Sequence, residues 1–193
     1  SANELSHFSA LASSWWDPQG PSRLLHLMNP LRHDFISSCL SESSTNNPNG
    51  LDYLDIGCGG GIFAESIART IPRSPAAAMG PATTEMGRQT NSVTALDPSD
   101  KLIAIARAHA RSDPVISSLL SEGKFKYLNR SVEEHVSSSS QRSSGSESAP
   151  SSQKEVEETE SESRKEATTT YDVITLFEVL EHIDPATSSP LSF

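Results

Sequence analysis

The chain has 193 residues of which 35% are hydrophobic, enough to bury one respectable core and no more. Its formal net charge of -10 argues against a nucleic-acid partner, because phosphate binding needs a basic face that no segment supplies. The 2 cysteines, Cys39 and Cys58, make no disulfide framework and fit a reducing compartment, and no apolar run approaches the length of a membrane span.

The opening segment sets both tryptophans side by side, Trp15 and Trp16, ahead of Asp17-Pro18. Residues 24–32 then lead into a predicted helix through Phe35, Ile36 and Leu40, and residues 46–50 have the composition of a loop. Residues 1–50 are therefore expected to form an N-terminal helical cap. Its aromatics either pack on a sheet or cover a ligand, and the sequence leaves both open. The sequence begins at Ser1, so an initiator Met and any targeting segment are expected to lie outside it.

The most informative stretch is Leu51-Asp52-Tyr53-Leu54-Asp55-Ile56-Gly57-Cys58-Gly59-Gly60-Gly61-Ile62-Phe63-Ala64-Glu65. A short apolar strand runs into a glycine-dense turn and then a helix, with Phe63 and Ile67 four apart and Ala64 and Ala68 beside them. Glycine tolerates positive φ and lets a ligand approach the main chain. The start of a helix adds free N–H groups. A dinucleotide fingerprint needs glycine at the sixth position counted from Gly57, and Ile62 stands there. What is present, Asp55-x-Gly57-x-Gly59-x-Gly61, resembles motif I of the class I S-adenosylmethionine-dependent methyltransferases. A purely structural turn is the alternative.

Residues 71–92 are rich in Pro, Ala, Thr and Gly without periodicity and suggest an inserted surface loop. A second strand is predicted over 93–97. It ends on Asp97, placed to accept the two hydroxyls of a ribose or merely to cap the helix that follows Ser99 and stops before Pro114. A third strand is predicted over 124–128, then a short helical start over 131–135. Residues 137–170 are dominated by Ser with Glu, Lys and Arg, and are expected to be a disordered insertion. The fourth strand, 171–177, is almost continuously apolar, as in a parallel strand covered on both faces. If the chain turns helically after it, Glu178, Glu181 and His182 share one face and can hold a divalent ion; a solvated acidic helix start is the alternative.

With four strands placed, the chain is similar to the ubiquinone-biosynthesis O-methyltransferases of the mitochondrial type. The likeness rests on Phe8-Ser9-Ala10-Leu11-Ala12-Ser13-Ser14-Trp15-Trp16-Asp17, on Leu25-His26-Leu27-Met28-Asn29-Pro30-Leu31-Arg32, on Leu54-Asp55-Ile56-Gly57-Cys58-Gly59-Gly60-Gly61, on Val132-Glu133-Glu134-His135 and on Glu178-Val179-Leu180-Glu181-His182. It implies an α/β, Rossmann-like class I methyltransferase fold over 51–193, with a parallel sheet incomplete on its C-terminal side. It also implies methyl transfer from S-adenosyl-L-methionine to a phenolic oxygen of polyprenylated catechols (3,4-dihydroxy-5-polyprenylbenzoate, demethylubiquinol).

Carried onto this sequence, the resemblance assigns the cofactor to Arg32, Gly57, Asp97 and Phe177. A divalent metal, Mg2+, falls to Glu178, Glu181 and His182, and no catalytic residue is assigned. It further implies other ubiquinone-biosynthesis proteins in a multisubunit complex, peripheral membrane contact, and the matrix side of the mitochondrial inner membrane. The family's sheet has strands beyond the fourth, so the chain is expected to be a C-terminally truncated member with strand four at an edge, poorly stable and weakly active alone. A non-catalytic binding module and a nicotinamide-dependent oxidoreductase are the rival readings.

Overall fold

A computed structural model describes residues 14–43, 50–72, 89–143 and 170–182. The first part of the opening motif, most of the 71–92 loop and the serine-rich stretch from 144 lie outside the described residues. The elements run in the order α1 (Arg23–Glu42), β1 (Leu51–Ile56), α2 (Ile62–Ala68), β2 (Thr90–Asp97), α3 (Asp100–Ser112), α4 (Pro114–Ser121), β3 (Phe125–Asn129), α5 (Val132–Ser143) and β4 (Val173–Thr175), with a 3₁₀ turn at Leu180–His182.

The strands form one parallel sheet of order β3-β2-β1-β4. The chain steps outward from β1 to β2 to β3 and then returns to lay β4 on the other side of β1. That reversal opens a crevice between the carboxyl ends of β1 and β4, where open α/β sheets bind their ligands. Leu51, Tyr53, Leu54 and Asp55 of β1 are all buried, as a strand flanked on both edges and covered on both faces requires. Of these, Leu51 and Tyr53 join Ile67, Val93, Ile103, Ile116, Leu119 and Phe125 in a core to which α1 adds Ile36 and Leu40.

Helix α1 carries Pro30 in its interior. Proline has no N–H to offer the preceding turn. The neighbouring Asn29 bonds outward instead, its Nδ2 donating to the carbonyl of Ile62 at 3.3 Å and so tying α1 to the first turn of α2. Arg32, Ile36 and Leu40 face inward, while Leu24, Leu27, Leu31 and Phe35 form a stripe on the outer side that is 55% to 68% exposed.

The structure departs from the sequence-based expectation at four places. Strand β2 begins at Thr90, inside the expected loop, because Asp52 accepts hydrogen bonds from Asn91 Nδ2 (2.8 Å) and Ser92 Oγ (2.6 Å) across a register shift. Helix α4 was not foreseen: Asp113 caps it and Pro114 opens it, so the proline that ends α3 starts a new helix. Helix α5 runs on through residues 137–143, which were expected to be disordered. Strand β4 is limited to Val173–Thr175, and Ile174 is 55% exposed, so β4 is an edge among the described residues and is not covered on both faces.

Candidate cofactor site

The glycine loop turns β1 into α2 through left-handed backbone at Gly57 (φ 72), Gly59 (φ 55) and Gly61 (φ 88), which no side chain favours. Its space is used from three sides. A Cβ on Gly57 would stand 2.5 Å from Val179 Cγ2, and one on Gly59 would stand 2.9 Å from Trp15 Cζ2. A Cβ on Gly61 would run into the Tyr127 hydroxyl. Spacing alone shows glycines here; the structure gives each its reason.

Asp97 lies at the end of β2 and is 7% exposed. Its Oδ2 accepts the N–H of Gly59 at 2.9 Å and its Oδ1 the N–H of Ser99 at 2.8 Å. The capping of α3 falls to Ser99, whose side chain accepts from Leu102 N, so Asp97 ties the glycine loop to β2 and does more than cap. Each carboxylate oxygen keeps a second lone pair. Burial pushes the Asp97 carboxyl up, opposed by the two backbone donors.

Arg32 comes from α1 to the other flank and is 7% exposed. Its guanidinium lies over the rings of Phe63 (5.6 Å) and Phe177 (5.4 Å), and its Nη2 is 4.0 Å from Glu178 Oε1. Nη1 donates to Asn29 Oδ1 at 3.3 Å, while the buried Nε has no hydrogen-bond partner among the described residues. Burial draws the Arg32 pKa down, and the charges of Glu178 and Asp55 oppose this.

Phe177 meets Phe63 edge-on with ring centroids 5.0 Å apart, and Phe35 at 6.4 Å. Four expected cofactor residues, Arg32, Gly57, Asp97 and Phe177, therefore gather around the carboxyl ends of β1, β2 and β4.

Between Arg32 and Asp97 sits the acidic residue of the glycine motif, whose partner the sequence did not reveal. Asp55 is 3% exposed and accepts the Thr175 hydroxyl at 2.7 Å from β4. Burial raises its pKa to about 7. The Thr175 hydrogen bond and Arg32 lower it, and Asp97 raises it. Thr175 escaped notice because it sits in an apolar run. Burial, with Asp55 and Asp97 nearby, also pushes the Cys58 thiol well up, so that cysteine is inert packing.

The expected metal set does not assemble as one helical face. Glu178 has φ 58, in left-handed backbone outside the 3₁₀ turn that holds Leu180–His182, and it faces Arg32. No group of three ligating side chains able to hold a metal ion occurs among the described residues.

Residues 28–189 match the family model described as "Methyltransferase domain", and the chain belongs to that family. This agrees with the parallel sheet and the glycine loop. Among curated proteins, it is 38% identical over 184 residues to the mitochondrial ubiquinone biosynthesis O-methyltransferase of Schizosaccharomyces pombe, covering 95% of this chain and 47% of that one. The protein of the same name from Arabidopsis thaliana is 40% identical over 123 residues, 61% of this chain and 32% of its own.

The ubiquinone biosynthesis O-methyltransferase of Agrobacterium fabrum is 36% identical over 150 residues, 69% and 52% respectively. The chain spans about half the length, or less, of these relatives. Among solved structures, the plantazolicin methyltransferase BpumL covers 68% of this chain and 42% of its own at 22% identity and a TM-score of 0.35, which supports no argument about ligand or reaction.

Proposed function

We propose that this chain is the cofactor-binding part of a ubiquinone-biosynthesis O-methyltransferase. The reading is supported by family membership, by the names its relatives carry, and above all by one juxtaposition: buried Arg32 and buried Asp97 flanking a glycine loop at the β1/β4 crevice. S-adenosylmethionine would supply an electrophilic sulfonium methyl there.

The residues present fit such a ligand. The orphaned Nε of Arg32 leaves a planar donor for the methionine carboxylate. The spare lone pairs of Asp97 suit ribose hydroxyls. Gly57 would meet the ligand with its main chain only, its Cβ side being closed by Val179, and Phe177 offers an apolar wall to the adenosine. This ligand carries no phosphate, and its one anionic group, the methionine carboxylate, is the group Arg32 answers; a dinucleotide pyrophosphate would bring further negative charge against Asp55 and Asp97.

The acceptor is proposed to be a polyprenylated catechol, and the cell site the matrix face of the mitochondrial inner membrane, with peripheral membrane contact and neighbouring ubiquinone-biosynthesis proteins. A phenol has a pKa near 10, so the nucleophilic phenolate is scarce at neutral pH. A divalent metal such as magnesium on Glu178, Glu181 and His182 would relieve that, but Glu178 is paired with Arg32 in this conformation, so the set as it stands does not fit the ion.

Calorimetric titration with S-adenosylhomocysteine and with NAD tests the cofactor reading, and uptake of the first alone is expected. Uptake of NAD alone, or of neither, refutes it. Methyl transfer from labelled S-adenosylmethionine to a catechol, with and without exhaustive chelation, then separates an enzyme from a binding module. Undiminished turnover under chelation removes the metal.

A further inference from the structure

The glycine loop is gripped by residues that play no part in the cofactor contacts above. Trp16 Nε1–H donates to the carbonyl of Gly60 at 2.9 Å, bridging positions 44 apart in sequence. Its indole lies flat on the imidazole of His109 from α3, with ring centroids 3.4 Å apart and 1° between planes, and meets His26 edge-on at 5.5 Å. The Nδ1 of His109 is 3.1 and 3.0 Å from the two carboxylate oxygens of Glu65.

Glu65 is 1% exposed, accepts the Tyr127 hydroxyl at 3.4 Å and has Arg69 at 4.0 Å. Tyr127 in turn fills the space a side chain at Gly61 would need. The contacts close a ring: Gly60, Trp16, His109, Glu65, Tyr127, Gly61.

A carboxylate this deeply buried is costly unless several groups answer it, and here His109 of α3 and Tyr127 of β3 hydrogen-bond to it while Arg69, just past the end of α2, adds a charge. The methyl-transfer reading gives Glu65 no chemical task. Its position under the loop, together with a tryptophan donating to the loop from outside the sheet, gives it a mechanical one.

We propose that Trp16 and His109 are positioning residues of the cofactor loop: they fix the Gly60 carbonyl and hence the path of the backbone on which an adenosyl ligand rests. The proposal deepens the S-adenosylmethionine reading and depends on it. The segment before α1 is then a working part of the binding loop as well as a cap.

The test titrates S-adenosylhomocysteine into the unsubstituted chain, Trp16→Phe, His109→Gln and the double variant. Phenylalanine keeps an aromatic ring over His109 and removes the donor; glutamine keeps a donor for Glu65 and removes the flat ring. Trp16→Phe is expected to weaken binding about fivefold, the worth of one neutral hydrogen bond. His109→Gln should do the same, and the double variant should lose no more than either alone, because one clamp is broken once.

A spectroscopic arm keeps the proposal open to refutation if a variant melts. The chain has 2 tryptophans, so Trp15→Phe leaves Trp16 the sole indole emitter, and its fluorescence should change on saturation with the ligand. Binding within twofold of the unsubstituted chain in both single variants, additive losses in the double, or a silent Trp16 overturns the clamp and leaves the cofactor reading standing. Failure of the unsubstituted chain to bind overturns both.

Discussion

Asp55 makes stability depend on pH in a direction opposite to that of an ordinary paired carboxylate. Its folded-state pKa is about 7 against 3.8 for an unperturbed aspartate, with burial the largest cause. The folded form therefore holds a proton over a window where the unfolded chain has lost it. The associated stability is fully present below the unfolded value and is lost as pH rises through about 7.

Between pH 5 and pH 8 the loss from this one group is about 2.5 kcal/mol, taking about 1.4 kcal/mol per pH unit over the part of the window those pH values span. Asp55→Asn keeps an oxygen to accept the Thr175 hydroxyl and removes the titration. Thermal melts of both proteins at pH 5 and pH 8 isolate the effect, since other groups cancel in the difference. The unsubstituted protein should lose about 5–10 °C more than Asp55→Asn across that span. Parallel pH curves for the two proteins would refute the burial argument, as would a variant that loses more.

Two further perturbations follow from the backbone. Gly61→Ala forces a side chain into left-handed backbone and against the Tyr127 hydroxyl, whereas Gly123, with φ +71, has its nearest neighbour, Lys126 Cε, at 4.0 Å. In urea melts, Gly61→Ala should cost at least about 2 kcal/mol more than Gly123→Ala, which carries the left-handed penalty alone; equal costs would show that Tyr127 yields freely.

Asp113 accepts from Val115 N at 2.8 Å and Ile116 N at 3.2 Å, and Arg69 donates to it at 2.7 Å on the surface. Asp113→Ala should lose about 1 kcal/mol, mostly through the cap. Asp113→Asn should recover most of that, because the surface ion pair contributes little.

The sheet was legible wherever apolar residues bunched between punctuating glycines, and so was the cradle, because Asp55 and the alternating glycines sit in contiguous sequence. Arg32 and Asp97 were placed by resemblance and by strand-end position, and the fold brings both to the same crevice. What escaped was long-range or masked by composition. Thr175 meets Asp55 from a strand 120 positions away, and no local pattern announces such a pair. Pro114 ended one helix in the sequence as it does in the fold, but its aptness for opening another was overlooked. Glu65, His109 and Trp16 come from three separate segments, and their partnership exists only once the helices stack.

The outward side of α1 sets how this molecule behaves in solution. Leu24, Leu27, Leu31 and Phe35 are spaced so that about 16 Å of hydrocarbon ridge faces water. Excluded salts such as sulfate sharpen the tendency of such a ridge to find another surface, and urea blunts it. Sulfate should therefore drive self-association at protein concentrations where chloride leaves the chain dispersed, a behaviour governed by the helix that carries Arg32 and not by the sheet beneath it.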